Sequence, residues 1–172
     1  MSLLAVLVTF ALPFSARAQN EEQKGLYLGV GFGQDMGGIF GFGLAYWPAP
    51  WLGGFVGGGW AIAGFGYQTG LDLCLPTTKR TSPFLTVMYG YNGAIHVKGL
   101  EKRDRVYTGP TIGAGILLRQ RVIRNYWRFS INVPIRSQEF LDDWQTVKDR
   151  PDVVVNQDLL PVTFGLGFHF GL

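Results

Sequence analysis

The stretch Leu159–Leu172, LLPVTFGLGFHFGL, decides the reading of this chain. From Leu160 on, every second residue is large and apolar: Leu160, Val162, Phe164, Leu166, Phe168, Phe170 and Leu172. The residues between are Pro161, Thr163, Gly165, Gly167, His169 and Gly171. Unbroken period two means a β-strand with one greasy face. The other face is small rather than polar. A strand of a soluble sandwich would show water a polar face, whereas this one would show mainly glycine. Lipid outside and a tight interior within a small barrel fits the pattern better.

The same alternation recurs through the chain. Gly25–Gly33 sets Leu26, Leu28, Val30 and Phe32 against glycines and Tyr27, and Gln34–Gly38 reads as a turn. Ile39–Trp47 puts Phe40, Phe42, Leu44 and Tyr46 outward, and Pro48-Ala49-Pro50 ends it. The third segment, Leu52 to about Ala63, is the least regular. Phe55 breaks its parity, and Gly57-Gly58-Gly59 suggests a bulge or sharp coil. Tyr67–Leu75 sets Tyr67, Leu71, Leu73 and Leu75 against Gln68, Asp72 and Cys74. Pro76–Pro83 reads as a turn. Phe84 to about Val97 offers Leu85, Val87, Tyr89 and Tyr91 to lipid. Val106–Leu118 turns Ile112, Ala114 and Ile116 outward and Tyr107, Thr111 and Gly113 inward. Tyr126–Arg136 sets Trp127, Phe129, Ile131, Val133 and Ile135 outward against Arg128, Ser130, Asn132 and Arg136. Ser137–Asp158 is the longest connection and reads as a solvated loop. With the final stretch this gives eight segments, an even number, so both ends lie on one side. Ten residues tilted near 40° cover about 25 Å of bilayer. Aromatics at segment ends (Tyr46, Trp47, Trp51, Trp60, Tyr107, Tyr126, Trp127) suit interfacial girdles.

Composition agrees. Of 172 residues only 16% are charged, against roughly a quarter in soluble domains. After the N-terminus no apolar run reaches the roughly 18 residues of a spanning helix. A hydrophobic chain without such helices crosses a bilayer only as a closed barrel, where every backbone N–H and C=O is paired. Residues 1–18, MSLLAVLVTFALPFSARA, carry a short apolar core ending in Ala16-Arg17-Ala18, a small-x-small cleavage pattern. They read as a secretory signal peptide, with a membrane anchor as the competing reading, and leave 19–172 as one barrel domain. The net charge of +3 is spread over turns and loops and forms no nucleic-acid stripe, and the single Cys74 excludes an intramolecular disulfide.

In architecture the whole mature chain resembles the small eight-stranded outer-membrane β-barrels of Gram-negative bacteria. Its sharpest element is the last strand. Thr163, Gly165, Phe168 and Phe170 look like that family's C-terminal assembly signal: a polar residue, a glycine two later, and hydrophobics five and seven later. The resemblance implies an all-β, eight-stranded antiparallel up-and-down transmembrane barrel in the outer membrane. Both termini would be periplasmic, and the barrel-assembly machinery would read the final strand.

Chemistry is sparse. Two histidines, one cysteine and scattered acids show no metal-ligand spacing, and no Gly-Lys-Ser/Thr follows the glycines, so no metal or other cofactor is expected. Ser130 and His169, both on lumen parity, are weak catalytic candidates, with Asp72 as a third group. A symmetric hairpin across 137–158 would put the first two at similar depth. The blander expectation is a lumen polar network of Asp72, Arg128, Asn132 and Arg136. Loop 137–158 sets Glu139, Asp142, Asp143, Asp149, Asp152 and Asp158 against Lys148 and Arg150, a surface for a protein partner or, less well by spacing, calcium. Its Phe140, Leu141 and Trp144 give it the means to fold back. Lys98–Arg105 is basic enough to touch lipopolysaccharide phosphates. The expected function is non-enzymatic, a structural or interaction role in the cell envelope. Porin-like passage of small, even apolar, solutes is the first alternative and a lipid-modifying enzyme the second. A lipocalin-like soluble carrier, with the bulky residues turned inward, is a further reading.

Overall fold

The computed structural model describes residues 24–61, 63–75, 77, 80–95, 105–120, 123–149 and 159–172. The expected signal segment and most of the basic 98–105 loop lie outside them. The strands are β1 Gly25–Gly33, β2 Gly38–Ala49, β3 Leu52–Ala61, β4 Gly64–Cys74, β5 Thr81–Ile95, β6 Arg105–Arg119, β7 Tyr126–Pro134 and β8 Thr163–Gly171. Each pairs antiparallel with its neighbours in sequence, and β8 returns to β1 to close the barrel. The described residues form an all-β, eight-stranded up-and-down barrel carrying one short α-helix, α1 Gln138–Lys148.

Parity places the side chains. On β8, Phe164 stands opposite Ile131, Leu166 opposite Phe129, and Phe168 opposite Trp127 on one side and Val30 on the other. All of these point outward, and the pattern continues round the barrel through Phe42 (63% exposed), Trp60, Phe65, Leu71, Leu85, Val87 and Ile112. Among the described residues about half of the buried set is polar or charged, including Gln68, Asp72, Thr86, Asn92, Thr111, Arg128, Ser130 and Asn132. Water-soluble folds show the reverse distribution.

Several expectations need correction. The bulky end residues Trp47, Tyr107 and Tyr126 are buried in the barrel, not in an outer girdle. Outward parity on β2 runs through Tyr46, so Trp47 must turn in, and Gly53 leaves it room: a Cβ there would lie 2.8 Å from the indole. Tyr46, Trp51, Trp60 and Trp127 do face outward. Phe55 does not mark a broken strand. It is the inward residue of a regular β3, packed beneath the Arg128 guanidinium. Thr81–Pro83 are strand rather than turn. Pro83 is tolerated because its carbonyl accepts from Leu75 at the end of the β4 ladder, where a missing N–H costs little.

The 137–158 connection is not wholly loop. Ser137 caps α1 by accepting from the Phe140 N–H (3.3 Å), with Glu139 in the first turn and Lys148 in the last, as the helix dipole favours. Phe140, Trp144 and Val147, spaced four and three apart, form one apolar stripe over Ile95, Tyr107 and Leu159 at the barrel mouth. The Phe140 and Tyr107 rings meet edge to face at 4.9 Å.

Candidate functional site

The polar interior is the candidate site, and it is built in three tiers. The uppermost is the connection between β1 and β2. Gln34–Met36 form one 3-10 turn, closed by Gly37 in the left-handed conformation (φ 74°), and the turn folds into the lumen with all three side chains buried. Gln34 Nε2 donates to Thr111 Oγ1 (2.8 Å) and to the Tyr91 carbonyl (3.0 Å). Thr163 donates to Gln34 Oε1. The turn is thereby tied to β5, β6 and β8.

Glycine makes the socket. Gly167, Gly31, Gly41, Gly59 and Gly66 stand in one register row across five neighbouring strands. A Cβ on Gly41 or Gly59 would come within 2.5 or 2.4 Å of the Met36 carbonyl oxygen. On Gly165 it would lie 2.6 Å from Asp35 Oδ2. The glycine-lined face of the strands therefore receives chain, not empty space.

The middle tier is ionic. Asp35 accepts from Arg128 Nε (2.8 Å), Ser130 Oγ (2.7 Å) and Asn132 Nδ2 (2.9 Å). Arg128 also donates to Asp72. Its guanidinium lies over the Phe84 ring, 4.3 Å from the centroid, and 4.9 Å from that of Phe55. One cation thus bridges two carboxylates and is sandwiched by aromatic faces, an arrangement that offsets part of the cost of burying three charges.

The lowest tier is aromatic. Tyr126 stacks on His169 (4.5 Å, 7°), meets Tyr27 and Trp47 edge to face, and accepts the Trp47 indole N–H (3.2 Å). Phe84, Leu117, Cys74 and Ala45 pack against this group. Between the ionic and aromatic tiers, among Asp35, Asp72, Tyr126, Arg128 and His169, about 10 Å³ is free. That is at most the room of a single water.

Asp72, Arg128 and Asn132, singled out from sequence, thus meet in one network, but through Asp35, which the sequence places in a turn. Arg136 does not join them. It lies two residues beyond the end of β7, where strand parity no longer aims it inward. It donates to the Leu160 carbonyl (2.6 Å) and sits over Phe140 (5.5 Å) at the mouth. The expectation that Ser130 and His169 share a depth is also corrected. Ser130 stands opposite Gly165 and His169 opposite Tyr126, four residues apart on β8, or about 13 Å along the strand. The Ser130 hydroxyl donates to Asp35, and His169 Nδ1 finds no partner among the described residues. Ser130 and His169 therefore do not form a pair.

Of the four residues that resemble an assembly signal, Thr163 and Gly165 belong to the socket of the turn. Phe168 and Phe170 pack on each other outside (4.7 Å), with Trp127 against Phe168. Among the described residues no three His, Cys, Asp or Glu side chains are arranged to hold a metal ion. Two signals for what was missed were present in the sequence. Asp35 sits in a turn flanked by glycines on both sides, and Phe140, Trp144 and Val147 fall at helical spacing. No protein-family model matches the chain, and no curated protein matches it in sequence.

Proposed function

We propose that the chain is a non-enzymatic outer-membrane β-barrel that acts as a structural or interaction element of a Gram-negative cell envelope. The observation that carries this reading is the inverted distribution of side chains. Large apolar residues of all eight strands face outward, while the ion pairs and amides are sealed inside. Monomeric soluble proteins rarely expose a contiguous apolar patch beyond a few hundred Å². A bilayer is the solvent in which such a belt stabilises the fold.

The filled lumen argues for a closed barrel over porin-like passage. The inward turn, the Arg128 network and the Tyr126–Trp47 cluster occlude it in series. The separation of Ser130 from His169 argues against a lipid-modifying enzyme in the lumen. What remains for partners is the outside: acyl chains on the belt, the assembly machinery on β8, and a protein partner over α1, whose Leu141, Asp142 and Asp149 lie away from the docked Phe140. Recording from the purified barrel in planar lipid bilayers tests the closed reading. Silent membranes are expected, and stepwise conductance from inserted barrels would overturn it.

A further inference from the structure

The small cavity between the ionic and aromatic tiers has polar side chains on two opposite walls. Asp72 stands on β4 and His169 on β8, four places apart in the ring of eight strands and so across the lumen from each other. Both line the cavity of about 10 Å³, together with Asp35, Phe55, Tyr126 and Arg128. Both are deeply buried, His169 being 4% and Asp72 3% exposed. One polar atom of each is left over. Asp72 Oδ1 and His169 Nδ1 have no hydrogen-bond partner among the described residues. Buried polar atoms are ordinarily paired with protein or with ordered water, because desolvating them alone is costly.

Both side chains are also held in place. Arg128 fixes Asp72 through Oδ2, which leaves Oδ1 as the oxygen to be satisfied. The His169 ring lies flat on Tyr126 (4.5 Å, 7°), and glycines close around its edge. A Cβ on Gly29 would fall 2.6 Å from Nε2, and one on Gly167 3.1 Å from Cε1. An apolar hole of this size stays dry, but a cavity of roughly 10–15 Å³ holds a water where its walls offer about two to four polar partners.

We propose that this cavity is a binding site for one ordered water, which bridges Asp72 Oδ1 to His169 Nδ1 and joins the ionic tier to the aromatic tier. An ionised carboxylate can only accept, so one water hydrogen goes to Oδ1. The other hydrogen or an oxygen lone pair serves Nδ1, according to the tautomer of the ring. A hard cation is the poorer occupant, because it prefers all-oxygen surroundings and here an imidazole and a guanidinium share the walls. The site lies inside the barrel, so it stands or falls independently of the solvent that meets the outer belt.

The test uses the full mature barrel folded in detergent micelles, with isotope-labelled histidine assigned through the His169 backbone. The carbon-bound ring protons of His169 should show cross-peaks to water, with the sign of a long-lived complex. Magnetic relaxation dispersion of the water oxygen counts long-lived internal waters. His169→Phe keeps a ring on Tyr126 and removes Nδ1, so it should hold one water fewer than the parent, and the difference cancels any other internal water. Replacing sodium in the buffer by choline should change neither readout. Ring protons without a water cross-peak overturn the proposal, and so does an equal count in parent and variant. A signal that requires sodium overturns it as well, since the occupant is then a cation. If His169→Phe does not fold, the cross-peak in the parent barrel decides.

Discussion

Replacing Arg128 by Met removes the cation that joins Asp35 and Asp72 in the lumen network. Asp35 loses a 2.8 Å bond from Nε, and Asp72 loses its ion pair with Arg128. Both carboxylates are almost fully buried. Breaking a buried pair by deleting one partner costs about 3–5 kcal/mol, because the remaining charge stays desolvated. Losing the contacts with Phe84 and Phe55 adds about 1 kcal/mol. The triple variant Arg128→Met, Asp35→Asn, Asp72→Asn keeps the shapes and removes all three charges, and should recover at least half of the loss. Urea unfolding of the folded barrel, followed by tryptophan fluorescence, measures both. With a slope of roughly 1–3 kcal/mol/M, the single variant should lower the midpoint by about 1 M or more. A loss below about 1 kcal/mol in Arg128→Met, or no recovery in the triple variant, would refute the claim that this cation holds the interior together.

Three further outcomes follow from the geometry. Gly59→Val should drive the Gln34–Met36 turn off its socket, because the added Cβ falls 2.4 Å from the Met36 carbonyl. A loss of about 1–3 kcal/mol is expected, and unchanged hydrogen-exchange protection at Asp35 and Met36 would contradict the socket. Phe140→Ala should undock α1 at a local cost of about 3–5 kcal/mol. Limited proteolysis should then cut within 137–149 while the barrel stays intact, and an uncut helix would count against the docking. The Tyr107 hydroxyl and then Arg105 hold the Asp143 carboxyl below the usual range. A lowered carboxylate pKa means that the contact is fully present above the ordinary aspartate range and is lost as the pH falls through the lowered value. Amide shifts of α1 should therefore move only on acidification below about pH 4, and a transition near neutrality would be the wrong sign.

Most of the barrel was legible because period two is a local property. In β7 and β8 the outward series Phe129, Ile131, Val133 and Phe164, Leu166, Phe168 needs no knowledge of neighbours. The interior was less legible because it depends on register. That Gly41, Gly59 and Gly167 share a row under Met36 emerges only when four strands are aligned. Asp35 was passed over because a turn acid ordinarily caps its own backbone in water, and nothing local says that the turn bends inward. Their place at strand ends suggests a girdle for Trp47 and Tyr126, yet parity, not depth, decides which face they take. Arg136 shows the converse: parity extrapolated past Pro134 lost its meaning once the strand had ended.

The direction in which the outer residues point is tested most directly with nitroxides at Ile131, Val133, Phe164 and Leu166 in barrels reconstituted into vesicles, with Asn132 as the inward control. Oxygen should relax the first four strongly and a water-soluble nickel chelate only weakly, while the label at Asn132 should be immobile and shielded from both. Strong relaxation of the outer four by the nickel chelate, or equal immobilisation at all five sites, would contradict a bilayer-facing belt around a sealed polar interior.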